Sequence, residues 1–106
     1  MAKIDDARCI LATGTTVTSG ALSARVAIPK NSGNRVPRVI RVMAVGTGNA
    51  YVKIGDSTVT ATNNDIYINS NTPEYLVVPY AYDGTPYVAY IEETASSKIN
   101  ITPFED

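Results

Sequence analysis

The chain contains no histidine, no tryptophan, one cysteine and one phenylalanine in 106 residues. Without histidine it lacks the commonest general base near neutral pH and the usual nitrogen ligand of zinc. The single thiol, Cys9, has no partner for an internal disulfide and no histidine to make it a thiolate, so it reads as a small apolar residue. No apolar run approaches the roughly 18 residues that span a bilayer. The first residues, MAKIDDARCILATG, carry two acids and no long apolar core. That is unlike a secretory signal, so synthesis and folding in a cytosol are expected. No segment carries the i, i+3, i+4, i+7 spacing of an amphipathic helix over three turns.

What is present is alternation. The stretch from Asn49 to Pro79 holds four short extended runs. They are Ala50–Ile54, then Val59 and Ala61 between threonines, then Ile66 and Ile68 around Tyr67, then Tyr75–Val78. Side chains alternate across a strand with period two, and the breaks at Gly55-Asp56-Ser57, Asn63-Asn64-Asp65 and Asn69–Pro73 are turn formers. We read this block as a meander with one wet and one dry face. Upstream, Ser23–Ile28 and Arg38–Val45 are strand candidates flanking a turn-rich loop, Pro29–Pro37. The second has two largely apolar faces, as a central strand does. Downstream, an Asp83-Gly84 turn precedes strands at Tyr87–Glu92 and Lys98–Thr102, with Ile99 and Ile101 inward.

About eight short strands at close spacing, punctuated by Gly, Asn, Ser and Pro, indicate an all-β antiparallel sandwich. A jelly-roll type suits best. An immunoglobulin-like sandwich is second, because its paired cysteines and core tryptophan are missing. Residues 1–20, rich in threonine and broken by Gly14 and Gly20, read as an extended N-terminal arm. Residues 21–106 form the sandwich, a single domain by length.

Charge is divided along the chain. Residues 1–55 hold eight Lys or Arg and two acids; residues 56–106 hold one Lys and eight acids, for a net charge of −1. Opposite patches of this kind steer association, provided that folding separates them in space. Arg35, Arg38 and Arg41 could suggest a nucleic-acid surface, but Arg38 and Arg41 have opposite strand parity and make no single stripe, and the overall charge is wrong for a backbone binder. Gly46-Thr47-Gly48 has Tyr51 where a third glycine belongs, so it is not a phosphate loop. Asp65, Glu74 and Asp83 lie at turns and form no pair at catalytic spacing. Asn100-Ile101-Thr102 fits a glycosylation acceptor but reads as part of the last strand. We therefore expect no enzyme, no cofactor and no metal. Five of the seven tyrosines fall between Tyr75 and Tyr90. Of these, Tyr80, Tyr82 and Tyr87 flank a loop and offer apolar rings with wet hydroxyls, which suits an interface or a sugar platform.

The runs Ala50-Tyr51-Val52-Lys53-Ile54-Gly55-Asp56, Val59-Thr60-Ala61-Thr62, Asn64–Ile68, Thr72–Val78 and Tyr87–Ile91 resemble small virion proteins of tailed bacteriophages. The resemblance covers residues 38–102. It implies a jelly-roll decoration, or cement, protein that binds the outside of an assembled head and clamps neighbouring major capsid subunits. It further implies a homo-oligomer, dimer or trimer, on the capsid surface, made in the host bacterial cytoplasm, with neither nucleic acid nor membrane as partner. The partner-binding residues expected are Ile10, Leu11 and Val17 in the arm, Arg35 and Arg38, and Tyr80, Tyr82 and Tyr87 around the loop. A carbohydrate-binding module, or a head–tail or tail component of a phage particle, is the alternative.

Overall fold

The computed structural model describes residues 11–79 and 84–105. Ile10, Tyr80 and Tyr82, and with them Cys9 and Asp83, lie outside the described residues. Eight strands and no helix form there: β1 (Thr15–Thr18), β2 (Ala24–Ala27), β3 (Val39–Val45), β4 (Ala50–Gly55), β5 (Ile66–Ile68), β6 (Glu74–Val77), β7 (Tyr87–Glu92) and β8 (Lys98–Pro103). They build two four-stranded antiparallel sheets, β1-β8-β3-β6 and β2-β7-β4-β5. The result is a β-sandwich.

Between the layers lie Ile40, Val42 and Ala44 of β3, Ala50 and Val52 of β4, Ile68, Val88, Ile99 and Ile101, all buried. Each large aliphatic side chain removed from water contributes roughly 1.5–3 kcal/mol before chain entropy is set against it. The expected inward set, Ala50 with Val52 and Ile99 with Ile101, is this core. β3 is an interior strand, as its two apolar faces suggest.

Two expectations are corrected. The Asn49–Pro79 block is not one meander, because β5 pairs with β4 while β6 crosses to the other sheet and pairs with β3. Val59 and Ala61 alternate as a strand would, yet no ladder forms. The Val59 N–H donates to the Asp56 carbonyl, and the Ala61 N–H to the Ser23 hydroxyl. Their backbone is satisfied by a turn and a side chain, so residues 56–65 run as a connection over the outer face of the second sheet. There Val59 and Ala61 pack on Ala89, with Tyr87 and Ile91 beside them.

Part of the stretch assigned to an arm is sheet. Thr15–Thr18 pair with Ile101–Lys98, and Leu11 bridges Phe104. Four residue steps from Leu11 to Thr15 oppose three from Phe104 to Ile101, so β1 gains a residue around Gly14. A Cβ at Gly14 would strike the Ile101 carbonyl, and that is why this crossing needs glycine. The buried Ser19 hydroxyl accepts the Ser97 N–H at 2.9 Å and fastens the end of β1.

Candidate docking surface

Since Ile40, Val42 and Ala44 point into the core, the alternate residues of β3 point outward: Val39, Arg41, Met43 and Val45. Residues paired across an antiparallel ladder share a face. Val39 therefore stands beside Val77 and Phe104, Arg41 beside Tyr75 and Thr102, Met43 beside Asn100, and Val45 beside Lys98. The outer face of β1-β8-β3-β6 thus carries an apolar strip on β3 and β6, interrupted by Arg41 and flanked by Lys98, Asn100 and Thr102 of β8, where a solvated sheet is ordinarily polar throughout.

Several of these groups are open to solvent. Val77 is 73% exposed, Tyr75 53% and Val45 41%, while Val39 and Met43 are half-buried. The Tyr75 and Phe104 rings meet edge to face, with centroids 5.8 Å apart, which holds Tyr75 over the sheet. Arg41 sits among them. One of its terminal nitrogens donates to Asn100 Oδ1 at 3.1 Å, and Thr102 Oγ1 donates to the same oxygen at 2.7 Å. The Arg41 Nε–H is buried without a hydrogen-bond partner. An orphaned buried donor costs about 1–3 kcal/mol, more next to a charge.

The expected partner residues do not converge on one surface. Leu11 is half-buried at the β8 end of this face, and Arg35 and Arg38 are exposed near it, on the loop before β3. That loop is shaped by Asn31, whose Oδ1 accepts the N–H groups of Gly33 and Arg35, and by Asn34 in the left-handed region at φ 60°. Ser32 ties it to Glu105 through a 2.6 Å hydroxyl–carboxylate bond. Val17 packs against the core. Tyr87 is half-buried on the opposite sheet, beneath the 56–65 connection. The residues missed were Val39, Met43, Val45, Tyr75 and Val77. For Val39, Met43 and Val45 the signal was visible in Arg38–Val45: a sandwich buries one face of a strand, so a second apolar face calls for a cover of its own.

Among the described residues no group of three or more His, Cys, Asp or Glu could hold a metal, and no helix is long and apolar enough to cross a membrane. Both sheets draw strands from the basic and the acidic half of the chain, so the linear charge division is mixed in space. What this geometry offers a partner is shape and apolar area on a rigid sheet. Comparison with protein-family models, with curated proteins and with solved structures finds no match.

Proposed function

We propose that the protein is a structural virion component of jelly-roll type, a decoration protein that binds the outside of an assembled bacteriophage head and clamps neighbouring major capsid subunits. The observation that carries this reading is the strip of outward apolar residues on the face of β1-β8-β3-β6, namely Val39, Met43 and Val45 of β3 with Tyr75 and Val77 of β6. Sheet order supports the jelly-roll part. With β1-β8-β3-β6 facing β2-β7-β4-β5, every connection except β4–β5 passes between layers, as two interleaved Greek keys require. The phage part rests on the resemblance of residues 38–102.

A particle under pressure from its packed genome is stabilised by whatever binds the assembled lattice and not its separate parts, by mass action. No chemistry is needed for that role, only a complementary surface repeated many times. A standard contact buries roughly 1,600 Å² in total, within reach of a sheet face of this size joined by the Arg35–Arg38 loop. Residues 1–10 extend the contact in this reading. Because Thr15–Thr18 belong to the sheet, the informative truncation removes residues 1–10 and leaves β1 in place.

The experiment is co-sedimentation of the purified chain with expanded phage heads. Met43→Glu lowers the bound fraction at least about tenfold, with circular dichroism unchanged. Undiminished attachment of a folded Met43→Glu chain refutes the assignment of this face. A carbohydrate-binding reading rests on a different place, where Tyr51 and Tyr67 lie 5.3 Å apart and the Tyr67 hydroxyl donates to Glu93. Selective glycan-array binding lost in Tyr67→Ala is the result that would favour it.

A further inference from the structure

We propose that two copies of this chain join through their β6 edges, antiparallel about a two-fold axis at Leu76. The Val78 N–H donates to the Arg38 carbonyl at 2.8 Å, so Val78, and with the strand's period Leu76 and Glu74, turn their peptide groups toward β3. Tyr75 and Val77 turn theirs outward, to an edge that no described strand occupies. These residues are also 53% and 73% exposed. An apolar open edge of this kind is a template for another strand.

The three other edges are less suited to it. β1 is mostly threonine, β2 carries the exposed Arg25, and β5 is three residues long. β6 contains no lysine and no proline, but it is bracketed by Pro73 and Pro79. Those prolines select the register. A pair centred on Tyr75 sets Val77 against the partner's Pro73, and one centred on Val77 sets Tyr75 against the partner's Pro79; neither proline has an N–H to give. Centring on Leu76 sets Tyr75 opposite the partner's Val77 and Val77 opposite the partner's Tyr75. All four outward N–H groups and their carbonyls are then satisfied, Tyr–Val pairs form on the outer face, and no like charges oppose each other.

Four strand residues alone are too small an interface. A stable dimer needs roughly 800 Å² from each copy, against 5993 Å² of total surface. The additional area lies on the same side of the sandwich. Between β6 and the β5 edge is an open groove of about 600 Å³, apolar where Ile54, Ile66, Leu76 and Val77 line it and polar at Lys53 and Asp65. Pairing at β6 brings two such grooves together across the axis, with Leu76 meeting the partner's Leu76, and each copy covers the apolar wall of the other's groove. The first sheet becomes eight strands wide, and its two apolar outer faces form one surface.

The test requires no particle, so it stands or falls apart from the capsid reading. Sedimentation equilibrium of the full chain, from micromolar to near-millimolar concentration, is expected to show twice the 11.3 kDa chain mass. Val77→Lys, at an exposed position, keeps the fold by circular dichroism and weakens association at least about tenfold. In a Cys9→Ser background, Tyr75→Cys mixed with Val77→Cys gives a disulfide dimer under mild oxidation, since opposed residues are about 5.5 Å apart. Either variant alone does not, since like residues are then roughly 9 Å apart, beyond disulfide reach. A single 11.3 kDa species at every concentration, a Val77→Lys chain that associates as before, or equal cross-linking in the unmixed variants overturns the proposal.

Discussion

The two sheets treat their outer faces differently. On β2-β7-β4-β5, apolar residues of β7 (Tyr87, Ala89, Ile91) lie under a cover from the same chain, where Val59 and Ala61 are buried. On β1-β8-β3-β6, the outward residues of β3 and β6 are apolar except Arg41, yet among the described residues no comparable cluster closes over them. A face with an internal cover is a contribution to folding. The other face has no such cover among the described residues, and it is the one that the proposed attachment uses.

The same substitution, made once on each face, has the largest expected difference in effect. Val59→Asp places an unpaired charge in the covered cluster and is expected to cost about 3 kcal/mol or more, read as a fall in the denaturation midpoint. Val45→Asp, opposite Lys98 on the open face, changes stability by less than about 0.5 kcal/mol but removes particle binding. Equal destabilisation by the two would mean that the faces do not differ. Next in size is Gly55→Ala. A Cβ there would lie 2.6 Å from Val59 Cγ2 and 2.7 Å from its Cβ. Valine is stiff at χ1 and yields poorly, so the cover lifts at a cost of about 1–3 kcal/mol, again visible in chemical denaturation.

On the open face, Arg41→Met has a smaller effect. It loses the Asn100 bond but also removes an orphaned buried donor, so the net change in stability is expected to stay below about 1 kcal/mol. A loss beyond about 2 kcal/mol would show that Nε is satisfied in solution. Smallest is a pH effect at the start of the cover. The Thr58 hydroxyl, and then its N–H, bond the Asp56 carboxylate at 2.6 and 2.8 Å and hold its pKa below the ordinary 3.8. With the folded value depressed, this contribution is fully present above the unfolded value and is lost as pH falls through the folded one. Asp56→Asn should therefore flatten the acid limb of the stability curve below about pH 4 and leave neutral pH little changed.

Much of the fold was legible in the residues. Period-two alternation located seven of the eight strands, and paired isoleucines such as Ile99 and Ile101 marked the core. Alternation records that every second side chain is buried, not what the backbone bonds to. Thus Val59-Thr60-Ala61 mimicked a strand while its N–H groups went to Asp56 and Ser23. Sheet assignment was hidden as well, because Asn69–Pro73 would turn a hairpin or cross between layers equally well. β1 was obscured by Gly14, whose role depends on the Ile101 carbonyl far along the chain. The candidate site was half visible: β3 announced two apolar faces, but only packing shows which of them the described residues leave without a cover.

The most direct measurement is the amount of chain retained on expanded phage heads for Val45→Asp and for Tyr51→Ala, each checked for its fold. Val45→Asp should fall at least about tenfold while Tyr51→Ala stays near the parent level. Retention of Val45→Asp at the parent level, or loss confined to Tyr51→Ala, would contradict the account.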